Sequence, residues 1–321
     1  MKSKLNLRHK CLEKREILFK NKGNDCLKTI DINVIIAEIK SKIKILSIGI
    51  YHPIKSEISP LKVIKICKNC NLTDSNLYKE DLNDSIVSNT DFSNSNLKKV
   101  NFEKSHLKNI NFNKGDLKNI RFFKSNMINL DFSNADLSKG NIEQILGDNI
   151  TFSKSILLKA NLSGSTFENS KFININLTSA NLNNVIFRKS LLKNTVLKDQ
   201  VIENIIFSNT DMELINFEFT TLNNAIIEKS SLKGSNFKSS KLLEVSITNS
   251  NMEGVVLTNS QIENSILSNV NFKGANLENA NFKNVDLTNS ILEDVNIINT
   301  AFENVKFCNT TMPSGIRNDN C

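Results

Sequence analysis

Large apolar residues recur at every fifth position over most of this chain. Counting in fives from Leu72 to Met312 reaches Leu, Ile, Phe or Met at 47 of 49 places, and the two exceptions are Val87 and Gly147. The phase never slips by one residue. A fixed short period over most of a chain is typical of repeat architectures. The pattern therefore predicts a repeat protein, with a local bulge expected at Gly147.

Polar residues surround each apolar centre in a regular way. Small or β-branched residues are preferred two places before the centre, and Asn or Asp occupies 24 of the 49 places directly before it. Neither the helix period of 3.6 nor the strand period of 2 fits a strict five. Two inward positions separated by one outward residue, followed by two turn residues, do fit. Because Asn and Asp side chains bond nearby backbone in turns, we interpret these residues as turn formers and not as acids or metal ligands.

This five-residue unit resembles the repeat of the pentapeptide-repeat family, which is written A(D/N)LXX. The segment GANLENANFKNVDLTNS, residues 274–290, shows it plainly, and the resemblance covers residues 71–312. The resemblance implies an all-β fold: a right-handed quadrilateral parallel β-helix, a solenoid of about 12 coils with four units in each. At the usual strand spacing of about 4.8 Å, such a rod would be roughly 58 Å long.

If four units make one coil, residues twenty apart should stack on one another. Phe residues do recur at this spacing in one column, and Leu residues in the next. On the outside of one face, Lys and Glu alternate at the same spacing, so that each lysine is expected to lie between two glutamates. The members of this charge column are Lys193, Glu213, Lys233, Glu253, Lys273 and Glu293.

Three segments are predicted: a basic N-terminal capping segment over residues 1–68, the β-helix over residues 69–312 and a C-terminal tail over residues 313–321. Residues 1–68 contain 16 Lys or Arg against 6 Asp or Glu, and residues 8–20 have the pattern of a short amphipathic helix. We expect this segment to form a small mixed cap on the first coil. The alternative is a peripheral anchor that binds nucleic acid or an anionic membrane surface.

Two groups of outward residues are candidate contact sites. The residue directly before each centre is expected to be polar. In one complete turn of the rod this residue is apolar on every face, and on one face it is also apolar in the following coil, which makes an apolar stripe. These residues are Ile186, Leu191, Val196, Val201, Ile206 and Ile226. They predict an interaction patch, although β-branched residues also favour strands. A basic patch is predicted where Lys98 stacks with Lys118 and Lys104 with Lys124.

The remaining candidate chemistry is sparse. Cys67 and Cys70 form a single C-x-x-C, and both are expected to point inward as free buried thiols, because a zinc site needs four ligands. Cys308 and Cys321 could pair in an oxidising compartment. The histidines, His9, His52 and His106, stand at no recognisable motif distance from a nucleophile or carboxylate. The sequence thus predicts a protein that is not an enzyme and has no cofactor and no metal.

The leading functional hypothesis is a scaffold module that binds an unidentified protein partner, with a homodimer as a further possibility because the rod ends expose strand edges. The family resemblance suggests an alternative, a mimic of duplex DNA that binds type II topoisomerases. Alternating Lys and Glu on one face speak against such mimicry. No signal peptide or membrane span is visible, which predicts a cytoplasmic location.

Overall fold

The computed structural model describes residues 65–321, so nearly all of the predicted cap, including the helix over residues 8–20, lies outside the described residues. The described part is all β-structure wound in about 12 coils, with parallel pairing between residues twenty apart. Nineteen strands are present in these residues: β1 (Ile66–Lys68), β2 (Ile86–Asp91), β3 (His106–Asn111), β4 (Asn126–Asp131), β5 (Leu146–Thr151), β6 (Thr166–Glu168), β7 (Ile186–Arg188), β8 (Val201–Glu203), β9 (Ile206–Ser208), β10 (Thr221–Asn223), β11 (Ile226–Glu228), β12 (Lys241–Leu243), β13 (Ser246–Thr248), β14 (Gln261–Glu263), β15 (Ile266–Ser268), β16 (Asn281–Lys283), β17 (Ala301–Glu303), β18 (Thr310–Met312) and β19 (Gly315–Arg317).

Each coil has four faces, which we number in chain order from residue 67. Eleven strands stack along the first face in the order β1-β2-β3-β4-β5-β6-β7-β9-β11-β13-β15. Six strands stack along the fourth face in the order β17-β16-β14-β12-β10-β8. Isolated parallel bridges continue the same register on the second and third faces, as between Asn96 and Asp116. The twenty-residue coil predicted from the sequence is therefore confirmed. Because β1 already pairs with β2, the repeat begins within the last residues of the segment assigned to the cap.

The corners of the coil follow from one backbone conformation. The second residue after each centre adopts a left-handed conformation at nearly every corner, as at Asn89 with φ 49° and Asn109 with φ 54°. Asn tolerates this conformation better than most residues with a side chain. Asn or Asp before the centre supports the turn that follows: Asp91 Oδ1 accepts the backbone N–H of Ser93 at 2.8 Å. This contact agrees with the interpretation of these residues as turn formers.

The core is a single continuous column of side chains inside the coils. The centres are buried except for Ile297 and Phe302 near the end of the rod, and the phenylalanines stack on one another at the coil spacing, with 4.9 Å between the ring centroids of Phe112 and Phe132. Small inward residues bind the coils together. Ser165 donates from its hydroxyl to Ile142 O at 2.6 Å and accepts the N–H of Ile145 at 3.1 Å.

The bulge expected at Gly147 is absent from the described structure, and that prediction was wrong. Gly147 pairs in register with Met127 on one side and Phe167 on the other. A β-carbon built on Gly147 would lie 3.2 Å from Phe167 Cδ1 and 3.1 Å from Ile150 Cγ1. The neighbouring side chains thus occupy the space of the missing side chain, and the ladder continues without interruption.

The C-terminal tail folds back on the last coil. β18 and β19 form an antiparallel hairpin, and the N–H of Phe307 donates to Asp319 O at 2.9 Å. The Arg317 guanidinium lies 3.9 Å from the centroid of the Phe307 ring. The hairpin covers only part of the rod end, because Phe307 is buried while Ile297 remains exposed.

Candidate interaction surfaces

The predicted apolar patch divides into one column and three separate side chains. Ile186, Ile206 and Ile226 are direct Cα partners in the first face, and we call these three residues the isoleucine column. Leu191 lies on the second face, Val196 on the third and Val201 on the fourth. The structure therefore places the column together as one surface and distributes the other three residues around the rod.

The isoleucine column is partly exposed. Ile226 is 41% exposed and has Ser246 beside it in the next coil, whereas Ile186 and Ile206 are half-buried and each has an isoleucine beside it in the next coil. The same column continues at both ends with exposed apolar residues: Ile266 follows after Ser246, and Leu146 precedes Thr166. Leu146 is 61% exposed. Apolar side chains thus occupy much of the outward row of the first face, which is the row expected to be polar.

A shallow groove lies at the corner between the first and second faces, next to this row. In the coils of β2 to β5 the strands continue through the corner for six residues, where most other strands have three. The groove is lined by four asparagine amides in line, Asn89, Asn109, Asn129 and Asn149. Each donates from its side chain to the asparagine one coil earlier, and Asn89 donates to Asn69. We call these five residues the asparagine ladder.

Sequence reasoning missed the asparagine ladder, although a signal was present. Asn recurs at every twentieth residue from Asn69 to Asn169, and the twenty-residue coil places these residues in one line. Asp91 and Asp131 border the groove, and each carboxylate accepts a backbone N–H two residues on. The groove therefore presents a regular polar surface beside the outward row of the first face, which reads Ile86, His106, Asn126 and Leu146 in these coils.

The comparisons with known proteins agree with this repeating geometry. A family model described as pentapeptide repeats matches the chain in eight copies, over residues 66–109, 102–138, 150–199, 244–274 and 275–312, which is more than half of its length. The chain belongs to the pentapeptide repeat family. A search of curated proteins finds no match.

Several solved structures of pentapeptide repeat proteins are similar to this chain. HetL of Nostoc sp. strain PCC 7120, involved in heterocyst differentiation regulation, is 16% identical with a TM-score of 0.43, and the match covers 78% of this chain and 92% of HetL. QnrB1, a plasmid-mediated fluoroquinolone resistance protein, is 17% identical in a trypsin-treated form with a TM-score of 0.39, covering 75% of this chain and 91% of QnrB1.

The predicted basic patch is not one surface in this pentapeptide repeat protein. Lys98 and Lys118 lie on the third face, whereas Lys104 and Lys124 lie at the corner between the fourth and first faces. Lys98 Nζ is 2.9 Å from Asp116 Oδ2, and Lys118 Nζ is 2.9 Å from Asp136 Oδ2. The hydrogen bond and the charge of Asp136 raise the pKa of Lys118 above its usual value. Two of the four lysines are thus paired with carboxylates.

The charge column on the second face forms pairs between coils. Lys193 lies 3.0 Å from Glu213, Lys233 lies 3.0 Å from Glu253 and Lys273 lies 3.2 Å from Glu293, measured between Nζ and carboxylate oxygen. Hydrogen bonds from Lys193 to Asp211 and Glu213 raise the pKa of this lysine. Each lysine therefore pairs with the glutamate of the next coil, and this part of the surface carries little uncompensated charge.

The cysteines are paired within the described residues. Cys67 and Cys70 form a disulfide with their Cα atoms 6.1 Å apart, so the expectation of free thiols was wrong for these two residues. Both point inward at one corner, as predicted, and this shared direction brings the sulfurs together. A second disulfide joins Cys308 of the β-helix to Cys321 of the C-terminal tail.

Neither a metal-binding group of His, Cys, Asp and Glu nor a helix long and apolar enough to cross a membrane occurs within residues 65–321. His106 is exposed on the outward row of the first face. Cys11, Cys26, His9 and His52 lie outside the described residues.

Proposed function

We propose that this protein is a non-enzymatic scaffold that binds a protein partner along its first face. The isoleucine column carries the proposal, because an outward row that the repeat pattern makes polar is apolar over successive coils. Burying an apolar side chain of this size stabilises a complex by roughly 1.5–3 kcal/mol when it was fully exposed before, and by less for half-buried residues. Several such contacts in line would support a stable interface.

The rigid register supports the same function. The first face is an eleven-stranded parallel sheet, so its outward side chains stand at fixed positions before any partner arrives. A pre-organised surface loses little conformational entropy when it binds. The asparagine ladder lies next to Ile86 and Leu146 of the same outward row, in coils that precede the isoleucine column, and it offers amide groups at the same spacing. A partner segment that lies along the rod could therefore combine apolar contacts with hydrogen bonds.

The test compares two triple variants in affinity capture from native lysate. The first variant carries Ile186→Ser, Ile206→Ser and Ile226→Ser, and the second, matched in chemistry, carries Leu191→Ser, Val196→Ser and Val201→Ser on the other three faces. We expect the first variant to lose a partner that the wild type and the second variant retain. Circular dichroism spectra should stay the same for all three proteins. Retention of the partner by the first variant would reject the first face as the binding surface.

A photo-crosslinking amino acid places the contact directly. Incorporated at Ile206, it should form a crosslink to the captured partner, whereas at Val196 on the third face it should not. Equal crosslinking from both positions would contradict a binding site confined to the first face.

DNA mimicry receives less support. Mimicry of duplex DNA needs dense negative charge without compensating lysines, and residues 199–303 do contain 14 acidic against 6 basic side chains. The pairs Lys233–Glu253 and Lys273–Glu293 neutralise part of this charge. A DNA gyrase supercoiling assay with and without the protein distinguishes the two functions, since a scaffold should change neither the activity nor its inhibition.

A further inference from the structure

Four lysines form a straight row at one corner of the rod. Lys79, Lys99, Lys139 and Lys159 occupy the corner between the third and fourth faces, and we call them the lysine ridge. They extend over four coil steps, which is about 19 Å at a strand spacing of about 4.8 Å. Asn119 occupies the one remaining position in this stretch. The ridge lies on a different side of the rod from the isoleucine column.

No member of the lysine ridge forms an ion pair with another residue of 65–321. Lys79 Nζ lies 5.0 Å from the centroid of the Tyr78 ring. By contrast, Lys98 and Lys118, on the neighbouring third face, are paired with carboxylates. The charges of the ridge are thus free to meet an external anion.

The fold itself does not favour lysine at these corners. The four ridge residues have left-handed backbone with φ of 57° to 64°, a conformation that Gly and Asn adopt more readily. Like charges on adjacent strands also repel one another. A row of lysines here therefore costs stability, and asparagine, which occupies half of the corners of this chain, would serve the fold better.

The distribution of corner lysines is strongly uneven. Of the 19 corner positions between residues 74 and 164, eight are Lys, whereas only two of the 29 between residues 169 and 309 are. Residues 65–198 carry 19 Lys or Arg against 12 Asp or Glu, and residues 199–303 carry 6 against 14. The rod is therefore basic in one half and acidic in the other, and the ridge belongs to the basic half.

We propose that the lysine ridge binds the phosphate backbone of a nucleic acid duplex without reading its base sequence. A straight row of cations fits a linear polyanion. A duplex carries one phosphate charge per about 1.7 Å of its axis, so a ridge of about 19 Å lies alongside about eleven phosphates of the two strands, and those on the near side can meet the lysines.

The aromatic content favours a duplex over a single strand. Proteins that bind single strands stack unpaired bases on aromatic side chains. The chain has no Trp and only two Tyr, and its phenylalanines are mostly buried in the core. Contacts between lysine and phosphate need no such platform, and they make binding depend strongly on salt.

The test measures binding of a fluorescently labelled 24-base-pair duplex by anisotropy over a series of salt concentrations. The full chain is compared with Lys99→Asn/Lys159→Asn on the ridge and with Lys114→Asn/Lys154→Asn at the corner between the second and third faces. The two pairs lie in neighbouring coils, change the net charge equally and share the left-handed backbone. The control therefore removes the same charge from a different side of the rod.

We expect the ridge variant to bind at least fivefold more weakly than wild type at low salt. Its slope of log affinity against log salt should be shallower by about 1.8, that is, about 0.9 for each lost phosphate contact. The control variant should keep most of the affinity and of the slope. Thermal unfolding should be unchanged or shifted upward in the ridge variant, because two repelling charges are gone.

Three results would overturn the proposal. Equal losses in both variants would show that only net charge matters, and no loss in either would place the binding elsewhere. Wild-type protein that binds vesicles containing phosphatidylserine but not the duplex would identify a membrane as the anionic surface instead.

Discussion

Asn109 donates a hydrogen bond from its side-chain amide to the side-chain oxygen of Asn89, one coil earlier, at 2.8 Å. Asn109 in turn accepts from the amide of Asn129, also at 2.8 Å. Asn109 thus has two structural roles. Its backbone is left-handed, with φ 54°, as the corner requires, and its side chain joins two neighbouring coils. The asparagine ladder therefore stabilises the corner along the rod axis, in addition to the backbone ladder.

Two substitutions at Asn109 separate these contributions. In Asn109→Ala the left-handed backbone costs about 1–2 kcal/mol, and the two lost hydrogen bonds cost about 0.5–1.5 kcal/mol each. Asn109→Gly loses the same bonds but fits the backbone, so it should be more stable than the alanine variant by about 1 kcal/mol. Urea denaturation followed by circular dichroism measures both. Equal stability of the two variants would show that the corner conformation carries no strain.

The phenylalanine stack predicts a large difference between the middle and the end of the rod. Phe132 lies between Phe112 and Phe152, with ring centroids 4.9 and 5.1 Å away, and it is fully buried. Phe302 is partly buried on the last coil. Phe132→Ala should cost about 3–5 kcal/mol, as large core truncations do, and Phe302→Ala clearly less. Thermal unfolding of both variants measures the two losses of stability. Similar losses would mean that the end coil is as tightly packed as the middle.

The architecture could be predicted from the sequence because every repeat has the same pattern of residues. The centres, the inward small residues and the turn-forming Asn and Asp recur without a shift of phase. One irregular repeat therefore does not change the structure predicted for the other coils. The bulge at Gly147 was wrongly predicted because the missing side chain was considered without the residues of the neighbouring coils. In the coil its space is filled by Phe167, a residue twenty positions away, and such a contact is visible only after the stacking is known.

Surface predictions depended more on geometry than on residue type. Ile186 and Leu191 belong to the same apolar turn of the sequence, yet they lie on different faces, and only columns at a spacing of twenty make a continuous surface. The prediction of a basic patch considered lysine positions but not the carboxylates of adjacent coils, such as Asp116 beside Lys98. Prediction of the asparagine ladder as a surface feature requires both the twenty-residue period and the knowledge that a groove lies at its corner.

Asp136 predicts a measurable dependence of stability on acid pH. Partial burial alone would raise the pKa of this carboxyl, but hydrogen bonds from the Ser138 hydroxyl and N–H and from Lys118 outweigh it, so the pKa is lowered. The carboxyl therefore contributes its full stabilisation above the ordinary pKa of about 3.9, which is that of the unfolded chain. The contribution is lost as the pH falls through the lower pKa of the folded state.

Asp136→Asn tests this dependence. At pH 7 the variant should be less stable than wild type, because Asn keeps the shape of the side chain but not the charge-assisted bonds to Lys118. The difference should stay constant down to about pH 4.5 and shrink as the pH falls below about 4, because the carboxyl is protonated first in the unfolded chain and then, at its lower pKa, in the folded protein. Urea denaturation at a series of pH values measures the difference directly. A gap that persists unchanged at pH 2.5 would show that the carboxylate charge contributes nothing, and Lys118→Met should reproduce part of the loss at pH 7 if Lys118 is the partner.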